Sequence, residues 1–382
     1  MTRTRNLLGL AAFAAFASPS FAQFNQQWVS YTNETSTHLP GLATSISFNN
    51  TETDFAWGDL DKDGDDDLVV VRKEDFTSTG KRTNMLLMNE GGILVDRTTL
   101  YASAADIPGD QGFNTPTNDR DAVLADFNQD GWLDVVTATT LSDGNPKHIG
   151  HPRIYMNLGN DGSGNWLGLR FEDARFPQFL HFGSGSPQNP RFCSVAAGDV
   201  TGDGFPDIYF GDYDSSGAGG AQQGSNEDLN DRLVINDGNG FFTDQSQSRM
   251  SSTMLKSAFG NSVVINDFNN DGLNDIVKDT SLNAPQYVAV SYNNPSNVGF
   301  FNIFHDFHFN APYHTSEGDL NNDGRLDLII SDDASDRMRI NTGTDAFGRA
   351  TWSSAQQFSF LTGGDDGFAS NNLVADLDGD GW

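Results

Sequence analysis

The sequence holds a single cysteine, Cys193, among 382 residues. That excludes an internal disulfide framework and any cysteine-based zinc site. Basic residues are scarce: 22 Lys and Arg stand against 52 Asp and Glu, a formal charge of −30. Nucleic-acid binding is excluded on this ground, because neutralising phosphates takes clustered Lys and Arg. The one long apolar run, Leu7 to Ala17, has eleven residues, too few to span a bilayer. A Gly-x-Ser-x-Gly elbow, a P-loop and a dinucleotide fingerprint are all missing. Core-forming residues are not in short supply, with 37% apolar and 29 Phe, so wholesale disorder is excluded too.

Arg3 and Arg5 precede the apolar run, and Ser20-Phe21-Ala22 follows it with small residues at −3 and −1 of a cleavage site. This is the layout of a secretory signal peptide over residues 1–22, leaving 23–382 as the mature chain. A buried N-terminal helix is the alternative, and the charged and small-residue flanks disfavour it. The expected product is secreted, periplasmic or held at the cell surface, without a membrane span. Outside the cytosol calcium is abundant, and the acidic excess is read with that in mind.

One acidic motif recurs six times, with first positions 67, 73, 68, 52 and 57 residues apart. Oxygen-bearing side chains occupy positions 1, 3, 5 and 9, and Gly stands at position 6. The first copy places Asp59, Asp61, Asp63 and Asp67 there, the second Asp126, Asn128, Asp130 and Asp134. The third has Asp199, Thr201, Asp203 and Asp207, and the fourth Asp267, Asn269, Asp271 and Asp275. The fifth has Asp319, Asn321, Asp323 and Asp327, and the sixth stops after Asp376, Asp378 and Asp380. Short apolar segments flank each loop, such as Phe55 to Gly58 before the first and Leu68 to Val71 after it. A third segment closes on Asn, as at Met85 to Asn89, Arg153 to Asn157 and Arg232 to Asn236. A Phe-rich fourth follows, as at Phe241 to Asp244. Four short strands per repeat of about 63 residues predict an all-β fold, a β-propeller of four-stranded blades. Two packed sandwiches are the alternative, but they need no loop motif at every fourth strand.

These loops, with the Asn-ended third strand and the Phe-x-Asp fourth strand, resemble the FG-GAP/VCBS repeat family in its secreted bacterial form. Integrin α-subunit propellers are built from related repeats. The resemblance runs from about Trp28 to Trp382 and implies a propeller, most often seven-bladed, with calcium in the acidic loops. Phe-Gly occurs at Phe182-Gly183, Phe259-Gly260 and Phe347-Gly348. The resemblance also assigns the position-7 backbone carbonyl as a ligand, that is Asp65, Trp132, Phe205, Leu273 and Arg325.

Spacing supports the cation independently. Oxygens at positions 1, 3 and 5 of a tight turn converge on one point, and Gly at position 6 permits the bend. The six motifs hold 21 of the 52 acidic residues, and carboxylates crowded within about 4 Å repel unless a cation or protons intervene. An all-oxygen set favours calcium or magnesium over transition metals, and several carboxylates in a compact loop suit calcium's higher coordination number. The expectation is about one structural Ca²⁺ per repeat, tightest at Asp61 and weakest at Thr201. Solvated acidic turns with Asx hydrogen bonds are the alternative.

Strand alternation puts the acidic loops on one face and the long connections on the other, where a glycan or protein ligand is expected. Phe113, Phe176, Phe179, Tyr213 and Tyr313 read there as exposed aromatics. No catalytic residue is assigned; His148 with His151, and His305 with His308, have metal-like spacing without the helical context. A binding or adhesion module is the first reading, and a polysaccharide-acting lyase or glycosidase on the same scaffold the alternative. The sixth motif ends inside a loop, and Trp28 to Thr35 resembles a fourth strand. An arc of five to six blades with an unpaired edge is therefore expected.

Overall fold

The computed structural model describes residues 32–40, 52–75, 77–141, 144–213, 230–256, 259–281, 286–333, 335–357 and 371–375. The leader and the sixth motif, with Asp376, Asp378 and Asp380, lie outside the described residues. Of the segment 28–35 only 32–35 are described, and Thr35 opens a single helical turn, Thr35–His38.

Five antiparallel blades stand around one axis. Blade 1 runs Glu52–Gly58, Asp67–Lys73, Met85–Asn89 and Leu94–Asp96 from the axis outward. Blade 2 runs Asp119–Ala125, Asp134–Thr139, Arg153–Asn157 and Leu169–Phe171, with Ala104–Ala105 added in parallel at its rim. Blade 3 comprises Phe192–Gly198, Asp207–Asp212, Arg232–Asn236 and Phe242–Asp244. Blade 4 comprises Val263–Asn266, Asp275–Thr280, Tyr287–Asn293 and Phe301–His308. Blade 5 comprises Pro312–Gly318, Asp327–Asp332, Arg337–Arg339 and Gln356–Gln357, with a side hairpin of Asn341–Thr344 and Ala350–Trp352. Each of the five described acidic motifs is the turn between a blade's first and second strands, as its spacing predicts.

The second strands carry apolar residues on both faces because both are covered by neighbouring blades. In blade 3, Ile208 and Phe210 pack toward blade 2 while Tyr209 packs toward blade 4. Val135 and Val136 of blade 2 divide in the same way between blades 1 and 3. The core is thus a series of interblade layers, and period-two alternation sorts each residue into one of them.

Glycine at the end of three innermost strands allows these layers to close. A Cβ on Gly58, Gly198 or Gly318 would stand 3.2, 2.6 or 2.5 Å from Leu124, Ile265 or Val374 of the next segment. Residues 371–375 therefore occupy the place of a sixth innermost strand. Asn371 Nδ2 reaches from there to Asp54 Oδ1 of blade 1 at 3.2 Å. The edge of blade 1 facing this position is bare among the described residues, with Phe55 and Trp57 exposed at 42% and 53%. That matches the expected unpaired edge.

The third-strand asparagines do more than close a strand. Asn157 Nδ2 donates to the Leu60 carbonyl in the acidic loop of blade 1, at 2.8 Å. Asn236, Asn293 and Asn341 repeat this on Phe127, Val200 and Phe268 of the preceding loops, at 2.8, 2.7 and 2.8 Å. Each Asn also accepts from the glycine turn of its own hairpin, as Gly238 N–H does to Asn236 Oδ1 at 3.0 Å. One amide side chain thus clasps two blades. Asn236→Ala strands two carbonyls and two N–H groups in a buried place, and is expected to cost about 2–4 kcal/mol in chemical denaturation. Asn89→Ala, whose amide bonds only within its own blade, to the Asp66 carbonyl and from Gly92 N–H at exposed positions, is expected to cost about 1 kcal/mol or less. Equal losses for the two variants would refute the clasp.

Candidate functional site

Each acidic loop is wound around its first carboxylate. Asp126 Oδ2 accepts from Gly131 N–H at 2.7 Å and Oδ1 from Asp130 N–H at 3.1 Å. Asp199, Asp267 and Asp319 repeat both bonds. Position 5 then accepts from the position-7 N–H, at 2.9–3.1 Å from Asp63 through Asp323. Glycine at position 6 has φ between +81° and +98° in all five loops, a region closed to most side chains.

Position 9 is the most constrained. Asp67, Asp134, Asp207, Asp275 and Asp327 are buried. One oxygen of each takes the position-2 N–H of the loop, at 3.0–3.3 Å. The other takes the N–H of the clasping third-strand Asn, at 2.7–3.0 Å. Burial pushes these carboxyls up, Asp67 and Asp207 to about 6, Asp134 to about 7 and Asp275 to about 8, against the pull of those N–H donors. Neighbouring loop carboxylates raise them further.

The first loop alone, among the described residues, gathers three acidic ligands: oxygens of Asp59, Asp61 and Asp67 lie within 4.8 Å of one another. Asp59 Oδ1 is buried without a hydrogen-bond partner there. A buried carboxylate oxygen facing two other carboxylates is what a divalent cation would satisfy, so these residues fit one. The second and fourth loops carry Asn128 and Asn269 at position 3, each donating to the position-5 carboxylate at 3.0 and 3.1 Å. In the third, Thr201 Oγ1 lies 3.4 Å from Asp199 Oδ1. In the fifth, the Arg325 guanidinium pairs with Asp323 itself, so that loop supplies part of its own counter-charge. Asn321 has no acidic side chain to add to that cluster.

A second constellation lies on the axis and was not recognised from the sequence. A cavity of ≈ 720 Å³ is lined by the innermost strands of all five blades and by residues 371–373. Most of its lining comes from the first halves of those strands or just before them, among them Asp54, Arg120, Cys193, Asn261 and Tyr313, while Glu317 lines it from the end of blade 5's first strand. It therefore sits at the end away from the acidic loops, which follow the strands' last residues. The pairing register slips at one equivalent point in three blades, between Asp119 and Asp121, Phe192 and Ser194, and Pro312 and His314. The residues so displaced are Arg120, Cys193 and Tyr313, and all three line the cavity. A bulge re-aims one side chain without breaking the sheet.

Arg120 Nη2 donates to Tyr313 Oη at 3.4 Å across the axis, and its guanidinium lies 5.3 Å from the Tyr213 ring centre. Asp54 and Asp121 are bonded to each other, which requires a shared proton; burial raises both, Asp121 the more strongly. Asp121 also accepts from Val195 N–H of blade 3 at 2.7 Å. Burial holds His314 down at about 4, hence neutral, and raises Glu317. Thr315 is buried with its hydroxyl unpartnered among the described residues.

Other sequence candidates resolve differently. Phe113, Phe176, Phe179 and Tyr213 are not exposed; each is at most 3% accessible. Phe176 and Phe179 pack against Phe210 between blades 2 and 3, because long connections fold back over the blade edges. Only Tyr313 of that set faces a cavity. His151 is buried, bonded to Gln178 and tilted on Phe179, with burial lowering it to about 4. His148 lends its backbone carbonyl to Arg153. His308 donates to Asp332 at 3.0 Å, and His305 packs on Phe307. Neither pair converges on a metal. The axial set could have been suspected from charged residues opening otherwise apolar strands, such as Asp54 and Arg120-Asp121.

The profile of the FG-GAP-like repeat matches residues 126–210, which span the second acidic loop to the second strand of blade 3. That stretch is similar to an FG-GAP-like repeat. No curated protein matches the chain in sequence. Among solved structures, the chain is similar to an Agrocybe aegerita lectin that recognises non-reducing terminal N-acetylglucosamine. Identity is 17% over 81% of this chain and 67% of that one, with a TM-score of 0.45. The V. cholerae biofilm matrix protein Bap1 is 17% identical, over 75% of this chain and 36% of its own, with a TM-score of 0.35. A Bacillus licheniformis rhamnogalacturonan lyase is 12% identical, over 75% and 56%, with a TM-score of 0.36. The chain thus spans between about a third and two thirds of the length of these structures.

The raised position-9 carboxyls have a consequence for pH. Each binds its proton more tightly folded than unfolded, so the stability it confers is present at low pH and lost as pH rises from about 4 through 6–8. Stripped of divalent cations, the protein is expected to melt at a higher temperature at pH 5 than at pH 8. Saturating divalent cation should remove or reverse that order. A metal-free melt that instead rises from pH 5 to pH 8 would contradict the assignment.

Proposed function

We propose that this chain is an exported, calcium-stabilised propeller that binds a glycan or protein ligand in its axial cavity, on the face opposite the acidic loops. The observation that carries the reading is the set of three equivalent bulges that turn Arg120, Cys193 and Tyr313 into one cavity. Repeated sheet distortion at one level of a rigid ring costs pairing in each blade, and it yields a shared polar lining. A phenol, a guanidinium, asparagines and a free hydroxyl around one cavity suit a ligand rich in hydroxyl groups.

Calcium has a supporting role in this reading. Positions 1, 3, 5 and 9 of each loop, with the position-7 carbonyl at Asp65, Trp132, Phe205, Leu273 and Arg325, would hold it. When bound it neutralises carboxylates that burial otherwise keeps protonated. The loops lie at the far end of the blades from the cavity, so the ion acts on the scaffold rather than on the ligand. An exported location follows from the leader at residues 1–22.

An enzyme acting on a polysaccharide is the second reading, favoured by Tyr313 standing against the Arg120 guanidinium, an arrangement that can hold a base. The Asp54–Asp121 pair does not serve a glycosidase, whose two carboxyls stand about 5–9.5 Å apart across the sugar, because these two are bonded directly.

Three measurements test this. Chelation is expected to lower the melting temperature by many degrees, since each site adds about 2.7 kcal/mol at a hundredfold excess of calcium over its Kd; an unchanged melt rejects the calcium role. On a glycan array, Tyr313→Ala should lose binding about tenfold or more while its melt in calcium stays close to that of the parent. Unsaturated sugar ends absorbing in the ultraviolet, formed by the parent and not by Tyr313→Ala, would establish the enzyme instead.

A further inference from the structure

We propose that calcium sites in successive blades are coupled through the position-4 side chain of each acidic loop, which sets the ligand-bearing turn of the next loop. The inference rests on the calcium reading above and concerns how that binding is regulated.

Position 4 is held in the left-handed region in every described loop, with φ of +61° at Lys62, +54° at Gln129, +76° at Gly202, +58° at Asn270 and +55° at Asn322. For four non-glycine residues this is unfavourable backbone, sustained by the winding of the loop around its first carboxylate. The same twist throws the position-4 side chain sideways toward the neighbouring blade. Gln129 Nε2 donates to the Gly204 carbonyl of the third loop. Asn270 Nδ2 donates to the Gly324 carbonyl of the fifth loop at 3.0 Å. Lys62 has no amide, and its ammonium lies 4.3 Å from the centre of the Trp132 ring, at position 7 of the second loop.

The receiving carbonyl belongs to the peptide between positions 6 and 7. The N–H of that same peptide grips the position-5 carboxylate: Phe205 N to Asp203 at 3.0 Å, and Arg325 N to Asp323 at 3.1 Å. One peptide plane is thus held on one side by the preceding loop and orients a ligand of its own loop on the other. Filling the second loop tightens the turn that aims Gln129, and so prepares Asp203 in the third loop. The third loop gains most, because Thr201 leaves it a weak donor at position 3.

The chain of contacts is interrupted once among the described loops. Gly202 has no side chain to offer the fourth loop. Asn274 does reach back to the Asp199 carbonyl at 2.8 Å, but that bond holds position 1 and leaves the peptide between positions 6 and 7 of the fourth loop untouched. Coupling is therefore expected from the second loop to the third and from the fourth to the fifth, and to be weaker from the third to the fourth. Thermodynamic reciprocity requires each coupling to act in both directions.

The test uses the full chain, stripped of metal, labelled with ¹⁵N-glycine and titrated with calcium. Gly131, Gly204, Gly272 and Gly324 each donate to the first carboxylate of a different loop at 2.7–2.8 Å, so their amides report the loops one by one. Gln129 and Asn270 are exposed, and their alanine variants should melt near the parent in saturating calcium. Gln129→Ala is expected to weaken the third loop fivefold or more while the fifth keeps its midpoint, and Asn270→Ala to do the reverse. Asp126→Asn, which disables the second loop, should weaken the third in the parent but add nothing in Gln129→Ala. Midpoints within about twofold of the parent for both variants, in a chain whose glycine amides do respond to calcium, overturn the coupling alone. Amides that do not respond to calcium overturn the calcium reading and the coupling together.

Discussion

The structure depends on a buried carboxylate that has two masters. The position-9 Asp of each described loop accepts one N–H from its own turn and another from an Asn, and in blades 2 to 5 that Asn donates onward to the loop of the preceding blade. Neither link would be worth much in water, where solvent competes for every donor. Buried between blades, each becomes obligatory, because any partner withdrawn leaves the others unpaired. The blade is therefore not an independent unit. Its loop geometry is completed by the next blade, and its own Asn completes the one before.

This arrangement concentrates negative charge where solvent cannot relieve it. Asp134 and Asp275, raised by burial to about 7 and 8, are close to neutral at physiological pH unless a cation accompanies them. The clasp and the raised carboxyls are thus two expressions of one constraint: the same burial that makes the hydrogen bonds strong makes the bare charge costly. The net charge of −30 acquires a structural meaning at these loops. Counter-charge arrives differently in the fifth loop, where Arg325 lies on its own ligand Asp323.

A rigid ring also frees its axis for other work. Innermost strands need pair on one edge only, so a slipped register at Arg120, Cys193 and Tyr313 costs little and leaves the blade layers intact. Charged side chains at that level answer one another across blades: Arg120 of blade 2 meets Tyr313 of blade 5, and Asp121 meets Asp54 of blade 1 and Val195 of blade 3. The acidic loops and the cavity occupy opposite ends of the same five strands.

The strands, the repeat and the position of every acidic loop were legible in the residues alone, because they are set by neighbours within about ten positions. Alternation marks a strand, and oxygens at 1, 3, 5 and 9 around a glycine can converge only in one kind of turn. The asparagine closing each third strand was legible as a recurrence but not as a clasp, since its partner lies far away; Asn157 and Leu60 are 97 residues apart, Asn236 and Phe127 109. Phe113, Phe176, Phe179 and Tyr213 looked exposed because their loops are polar around them, and were buried by the return of those loops over the blades. The axial cavity left only a faint local trace, the charged residues that open apolar strands at Asp54 and Arg120-Asp121: it exists only where five strands, one from each blade, are brought to a common centre. Sequence by itself determined what each repeat would form, through short-range sterics and spacing. The tertiary structure alone decided which repeats hold one another and what they enclose, because those contacts join residues that nothing in the local pattern connects.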